Sequence, residues 1–397
     1  MIKKQLESRV LVLNHFAAPR GQAGGTRHVE LFARLEGWQH LIIVADKNHL
    51  TGDVVAVEPG VLPVSTVSYT SNGVRRMLNW ASYAWNALRE GLRQKRVDVV
   101  YASSPHLLAG LAGLVLAKWR RIPFVLEIRD LWPHILVHMG QMSDSSPVYR
   151  ALTVLEELLY AQADRIVVMA PGVEAELISR GIPREKIVYV PNGADPDDFK
   201  PSAPREVLRD RYGFTRLTAV YAGAHGPANG LDLVLDAAEQ VADLPVDVVL
   251  VGNGVAKADL QDTASRRGLH NVRFMNPVPK TEIGDVLAAA DLGLHVLADV
   301  ELFRTAVSPN KLFDYMAAGK PVLTNSPGLV GDWVERSGCG WAVEPGDLAL
   351  GLRSFAQADR AHLDAIGHSG LAWLQVHQSR SAMAKRLADM LAEVACA

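Results

Sequence analysis

Cysteine is almost missing from this chain of 397 residues: only Cys339 and Cys396 occur. That excludes a disulfide scaffold and fits a reducing compartment such as the cytoplasm. Long apolar runs are missing too. The longest, 107–117, stops at Lys118 after eleven residues, where a membrane-spanning helix needs about 20. The apolar stretch 10–13 is too short for the core of a signal peptide, and no small-residue cleavage site follows it. Neither sign of charge dominates: 41 Lys and Arg face 43 Asp and Glu, for a net charge of −2. A dedicated nucleic-acid binder carries a basic surplus, so no nucleic-acid partner is expected. There is no GxGxxG fingerprint, and no acidic residue closes the run 246–251, where the ribose partner of a dinucleotide would sit. A nicotinamide dehydrogenase is thereby disfavoured. The one acidic run with metal-like spacing, DPDD at 195–198, lies in a proline-rich stretch, so no metal site is expected.

What is present is a globular composition, 49% apolar and 21% charged. Short apolar runs at 10–13, 41–44, 97–101, 123–127, 165–168 and 187–190 alternate with helical patterns such as 26–35, 74–95 and 148–163. Runs this short and mostly β-branched read as buried parallel strands, and the alternation reads as βαβ units. Pro196, Pro201 and Pro204 then mark a hinge. The alternation restarts with runs at 219–221, 246–251, 272–275, 292–296 and 321–324, and 360–394 is helical in pattern. The expected fold class is α/β, with two Rossmann-like, doubly wound domains facing a central cleft. The expected bounds are 1–200, 201–375, and a C-terminal helix at 376–397 that returns to the first domain. Ligands in open α/β sheets bind outside the carboxyl ends of the strands, so chemistry is sought at strand-to-helix turns.

Four such turns stand out. Gly24 and Gly25 precede a helix start at Thr26, with Arg27 and His28 in its first turn. A glycine pair at a helix N-terminus lets backbone N–H groups approach a phosphate; a plain flexible loop is the other reading. Glu127, Arg129 and Asp130 follow a strand in EIRDLWP (127–133). Either Arg129 and Asp130 form a structural ion pair or they line a reaction centre, which His106 would also reach. In YAGAHGPANGLD (221–232), Gly223, His225, Gly226 and Asn229 form a phosphate-accommodating turn, and LVGNG (250–254) adds Asn253 at the next strand end. The fourth turn, SPNKLFDYMAAGKPVLTN (308–325), crowds Ser308, Asn310 and Lys311 at a helix N-terminus. Asp314 lies one turn on, on the face of Lys311. A carboxylate beside a phosphate site suits the vicinal hydroxyls of a ribose; a capped helix with an i,i+3 salt bridge is the alternative.

These segments, with GGTRH (24–28), SSPH (103–106), VVMAPG (167–172) and PNGAD (191–195), resemble the family 4 retaining glycosyltransferases of the GT-B fold. They are most similar to the bacterial enzymes of O-antigen, capsule and other surface polysaccharide. The resemblance covers nearly the whole chain. It implies a nucleotide-diphosphate sugar as donor, UDP-sugar favoured, held mostly by the second half. It also implies a glycan or lipid-linked acceptor on the first half, retention of configuration, and no metal or cofactor. Asp314 then takes the ribose, and Gly24, Gly25, Gly223, His225, Gly226, Ser308, Asn310 and Lys311 take the donor diphosphate. Asp130, Arg129 and His106 become the catalytic candidates, with Arg27, His28, Asn253, Lys280 and Glu301 as further candidates.

The departures from the family pattern are specific. The first acid of the family's Glu-x7-Glu is Ala306 here, with Glu301 or Asp299 as substitutes. The Arg and Lys that the family places on the diphosphate read Ala224 and Asn229. His225 and Lys311, and less directly Lys280, are the cations able to replace them. Two alternatives stay open: a sugar-nucleotide epimerase on the same fold, and a degenerate transferase acting as a non-catalytic partner. Separately, 75–96 interleaves Trp80, Tyr83 and Trp85 with Arg75, Arg76, Arg89, Arg93, Lys95 and Arg96. Such a helix either packs on the core with its charges in water or rests on an anionic membrane. The second reading would place the protein at the inner face of the plasma membrane.

Overall fold

In the first unit the apolar runs and their flanks become seven strands. These are β1 (Ser8–Leu13), β2 (Trp38–Ala45), β3 (Val61–Val64), β4 (Val99–Ser103), β5 (Phe124–Ile128), β6 (Arg165–Val168) and β7 (Ile187–Tyr189). Six more form a second sheet: β8 (Leu217–Ala222), β9 (Val246–Val251), β10 (Val272–Met275), β11 (Leu292–His295), β12 (Val322–Thr324) and β13 (Gly340–Ala342). The orders are β3-β2-β1-β4-β5-β6-β7 and β10-β9-β8-β11-β12-β13, with every pairing parallel. Both are doubly wound α/β sheets, as the sequence pattern predicts. In each, strand order reverses between two central strands, β1 and β4 or β8 and β11, which is where such folds open a ligand crevice. The edge strands β3 and β13 were not visible in the sequence. They are four and three residues long, Pro63 interrupts one, and neither offers a continuous apolar run.

The computed structural model describes residues 8–22, 25–69, 73–104, 106–138, 140 and 142–396. The chain divides into Met1–Pro191 with Ser381–Ala397, and Asn192–Arg380. The C-terminal helix Arg380–Cys396 carries Met383, Leu387, Met390, Leu391 and Val394 into the first unit's core, beside Val10, Val12 and Val99. The segment read as a hinge is packed into the second unit instead. Phe199 is buried there, and Ser202 donates from its backbone N–H and its hydroxyl to Asp285 (2.6 and 2.5 Å).

At the carboxyl end of β5 the first unit buries a whole charge cluster. Arg27, His28 and Glu127 have no exposed side-chain surface. Arg27 donates to the carbonyls of Val190 and Pro191 (2.7 and 2.8 Å) and to Glu127 (3.3 Å). Asn14 Nδ2 lies 2.7 Å from His28 Nδ1, and His28 Nε2 lies 2.9 Å from Glu127. Tyr101 and Ser103 donate their hydroxyls to the same carboxylate. Burial pushes the Glu127 carboxyl up, but His28 and Arg27 beside it win and hold it well below the carboxylate range. Burial lowers the pKa of His28, so its neutral ring donates from Nε2 while the full charge is Arg27's. Arg27 and His28 are therefore not phosphate ligands, contrary to expectation. They join the helix Arg27–Phe32 to β5 and to the chain after β7.

A carboxylate held low in the folded state stabilises above its unfolded pKa and loses that contribution as pH falls. Glu127→Gln leaves a buried guanidinium unmatched and should cost about 3–5 kcal/mol at pH 7, read by urea unfolding. The gap between wild type and variant should shrink below the ordinary carboxyl value of 4.5. A gap under about 1 kcal/mol, or one constant down to pH 3, would contradict the assignment.

Candidate active site

The turn after β8 and the helix Asn310–Ala317 converge at the second sheet's switch point. Lys311 Nζ donates to Asn229 Oδ1 (3.1 Å) and to the Tyr221 hydroxyl (3.3 Å), and lies over the Tyr221 ring at 4.9 Å. Tyr221 in turn donates to the Ala224 carbonyl (2.8 Å), which leaves its oxygen lone pairs toward the ammonium. Gly223 makes room: a Cβ there would stand 3.0 Å from Lys311 Cδ. Gly252, at φ +149°, lets the LVGNG turn pass under Gly223, whose carbonyl a Cβ would strike at 1.8 Å. Burial pushes the Lys311 ammonium down to about 8, with Asp314 opposing. His225 is fully buried, and neither ring nitrogen meets a hydrogen-bonding side chain among the described residues. Burial, then Lys257 and Lys311, push it down to about 4, so it is neutral. Its backbone N–H donates to the Asn253 carbonyl (2.8 Å), which ties the two glycine turns together. The result is a cation seated among glycines at a helix N-terminus, an arrangement that suits a diphosphate.

Lys311 and Asp314 do not pair with each other, so the i,i+3 alternative fails. Asp314 Oδ2 is held instead by Lys280 Nζ at 2.5 Å, with both side chains mostly buried. Lys280 also lies 4.5 Å from the centre of the Phe199 ring. This fixes the carboxylate two ways, by its helix and by a cation from the loop after β10. Ser308 accepts the Asn192 backbone N–H at its hydroxyl (3.0 Å), and its carbonyl accepts the Asn192 side-chain amide. The PNGAD and SPNK segments are thus one structure. Asn310 begins the helix. Glu301 does not join the cluster. Its side chain is 88% exposed and pairs with Arg304 at 3.3 Å. Asn253 is exposed. Sequence reading missed Tyr221, Tyr315 and Asn229 as supports. Tyr315 accepts the Ala222 N–H (2.9 Å) and donates to the Leu294 carbonyl (3.1 Å), joining β8 to β11. Its place in YMAAG, four residues after Lys311, was the available signal.

In the first unit the switch point gathers His15, His106, Arg129 and Asp130. His106 is not a reacting base. It caps the helix Leu107–Arg120, accepting the Ala109 N–H at Nδ1 (3.3 Å). With that nitrogen an acceptor, Nε2 carries the proton toward His15 Nδ1 (2.7 Å). Burial keeps both rings neutral, with the Arg76 charge adding to the effect. Trp80 stacks flat on His106, which leaves it buried. Arg129 is fixed by its backbone N–H to Ser104 Oγ (3.0 Å). No salt bridge joins it to Asp130, so the structural-pair reading fails. Asp130 is exposed. Gly24 lies outside the described residues. Gly25 accepts the Ala18 N–H at its carbonyl (3.1 Å), as part of a loop closing on β1.

Comparison with known proteins fits both halves. The Glycosyl transferase 4-like domain model matches residues 18–193, and the Glycosyl transferases group 1 model matches 216–358. The probable glycosyltransferase WbjE of Pseudomonas aeruginosa is 27% identical over 70% of this chain and 71% of its own length. The putative colanic acid biosynthesis glycosyl transferase WcaI of Escherichia coli is 25% identical over 62% of each. The solved structure of HepE from Anabaena in complex with UDP-glucose superposes with a TM-score of 0.73 at 18% identity. That match spans 97% of this chain and 99% of HepE, which is a likeness of fold. The two family matches run in the order of the two sheets and between them take in most of the chain. This chain belongs to the family 4 glycosyltransferases of the GT-B fold.

Proposed function

We propose that the chain transfers a sugar from a nucleotide-diphosphate sugar, UDP-sugar favoured, to a glycan or lipid-linked saccharide in surface polysaccharide assembly. Transfer proceeds with retention and without a metal, on the cytoplasmic side. The observation that carries this reading is Lys311 seated against Gly223, Tyr221 and Asn229, one helical turn from Asp314. The complex of HepE with UDP-glucose and the polysaccharide role in WcaI's name support donor and pathway.

Glycosyl transfer passes through an oxocarbenium-like state while charge builds on the departing diphosphate. Stabilising that charge lowers the barrier most. Lys311 supplies a full positive charge, and the helix start at Asn310 supplies backbone donors. Asp314 takes the ribose hydroxyls and so fixes the nucleotide's register. Asp130, exposed at the carboxyl edge of β5 in the first unit, orients or deprotonates the acceptor hydroxyl.

A membrane role rests on a separate observation. The helices Val74–Arg93 and Leu107–Arg120 pack on each other, and each exposes a tryptophan: Trp85 at 68% and Trp119 at 79%. Arg89 lies one turn from Trp85, and Lys118 is next to Trp119. Indole rings ringed by cations suit an anionic bilayer surface.

Three outcomes follow. UDP should raise the melting temperature by mass action, and Asp314→Ala should weaken UDP about tenfold or more, the size of a lost charge-assisted hydrogen bond. No shift with any nucleoside diphosphate would sink the donor assignment. UDP affinity should also fall as pH rises through about 8, where the Lys311 ammonium loses its proton, and Lys311→Met should abolish that dependence. An unchanged pH profile in the variant would reassign the charge. Liposome flotation should show binding to anionic vesicles that is reduced in the double variant Trp85→Ser, Trp119→Ser; equal binding by the two proteins would remove the membrane face.

A further inference from the structure

The Lys280 ammonium occupies a fixed seat in the second unit that the diphosphate chemistry does not use. Lys280 ends the loop 276–280, where Pro277 and Pro279 stiffen the backbone. The Pro279 carbonyl accepts the Glu282 N–H (3.0 Å), which leads the chain into the helix Ile283–Ala289. The start of that helix is pressed against the turn Pro196–Phe199: a Cβ on Gly284 would stand 2.8 Å from the Phe199 carbonyl. Phe199 is 4% exposed and belongs to the core that holds Leu312 and Phe313, which flank Asp314 on its helix. Its ring is therefore a fixed floor, and the Lys280 ammonium rests on it, 4.5 Å from the ring centre.

From that floor the ammonium reaches Asp314 Oδ2 at 2.5 Å, with 13% of the lysine side chain and 15% of the aspartate side chain exposed. An ammonium has three N–H donors and no acceptor. Asp314 is its only oxygen acceptor among the described residues, and the face of the Phe199 ring takes a second direction. A donor therefore remains beside the carboxylate, and both groups reach the surface. A hydroxyl placed there can donate to Asp314 and accept from Lys280 together. A carboxylate alone meets the hydrogen of a hydroxyl and leaves its oxygen without a donor. The pairing also weakens Lys280 as a phosphate ligand, because a full negative charge already offsets it. Lys311 differs, since it faces the neutral oxygens of Asn229 and Tyr221.

We propose that the Lys280–Asp314 ion pair reads one ribose hydroxyl of the donor as a unit, the hydroxyl donating to the carboxylate and accepting from the ammonium. The inference rests on the reading of Asp314 as the ribose contact and deepens it. Lys280 belongs to the nucleoside half of the donor site and sets its choice between a ribonucleotide and a deoxyribonucleotide. A site built to hydrogen-bond a hydroxyl rejects the analogue that lacks it, because its own buried groups are then left unpaired. Phe199 is a positioning residue: it holds the ammonium on the side of the carboxylate and touches no part of the nucleotide.

The test is calorimetric titration of the full chain with UDP, UMP, 2′-deoxy-UDP and 3′-deoxy-UDP. The wild type should bind UDP about tenfold or more tightly than at least one deoxy nucleotide, the worth of a hydrogen bond to a charged group. Lys280→Met should weaken UDP and UMP by the same factor and leave that deoxy nucleotide unchanged, so that the preference disappears. The deoxy nucleotide it spares names the hydroxyl. Lys280→Arg keeps the charge and the stacking on Phe199 and should keep the preference. A wild type without any preference overturns the proposal. Equal weakening of all four nucleotides by Lys280→Met does so too, since the pair is then structural alone. A loss confined to UDP, with UMP held, puts the ammonium on the diphosphate and overturns it as well, as does no loss at all. Asp314→Ala, titrated alongside, keeps the two readings apart. If it leaves UDP affinity unchanged, or if the wild type binds no UDP, the ribose reading fails and this inference with it. If it weakens UDP while Lys280→Met weakens every nucleotide alike, the ribose reading stands and only the role of Lys280 falls.

Discussion

A carboxylate with no access to water must be matched on every side, and Glu127 is matched by four residues from two other parts of the chain. Arg27 and His28 come from the helix after β1, Tyr101 and Ser103 from β4, and Glu127 itself from β5. Arg27 also holds the carbonyls at the end of β7. The carboxyl edge of the first sheet is thereby closed from beneath. The loops above it, which carry Arg129, Asp130 and Trp132, start from fixed points. Ser104 shows the coupling: its backbone N–H donates to the Glu127 carbonyl and its hydroxyl accepts the Arg129 N–H. An ion pair buried this deeply adds little net stability over a well-packed apolar core. What it adds is position, because its partners tolerate only one arrangement.

The second unit solves a different problem with similar means. A cation needed at a phosphate site must not collapse onto its neighbouring acid. Lys311 and Asp314 sit three residues apart on one helix, yet Asp314 is occupied by Lys280 and Lys311 by two neutral oxygens, of Asn229 and Tyr221. A lysine facing neutral acceptors stays attractive to an anion, whereas one already paired does not. The lowered Lys311 pKa is the cost of that arrangement: burial without a full counter-charge.

The fold was legible because its signals are local and repeated. Short β-branched runs between helical patterns predicted nearly all the interior strands, and a glycine, proline or polar turn marked most boundaries. Strands β3 and β13 escaped because Pro63 interrupts the one and the other is a three-residue strand that begins at Gly340. The site was legible only in part, for a physical reason. Spacing along one helix predicted that Lys311 and Asp314 share a face, and they do, but it could not show which partner wins each of them. That depends on Lys280, from a loop some thirty residues away in sequence, and on Asn229 and Tyr221 of another turn. Arg27, His28 and His106 misled for the converse reason. A polar residue at a helix start looks the same in sequence whether it faces a ligand or a buried carboxylate.

The departures from the family pattern have two different accounts. Where relatives carry a lysine in the second-half glycine turn, this chain has Asn229, and the Lys311 ammonium lies 3.1 Å from that side chain. The Lys311 ammonium of the facing helix thus stands beside the position where the resemblance implies a lysine in the turn. Asn229 is then an acceptor that seats that cation, and the small Gly223 is required for the lysine stem to pass. At Ala306 the acid proposed as substitute, Glu301, turns away to pair with Arg304. The two substitutions differ in kind: a cation stands beside Asn229, whereas Glu301, five residues before Ala306, is turned to Arg304. On the proposed reading Lys311 would still hold the diphosphate, and the loss at Ala306 would bear on which sugar is carried.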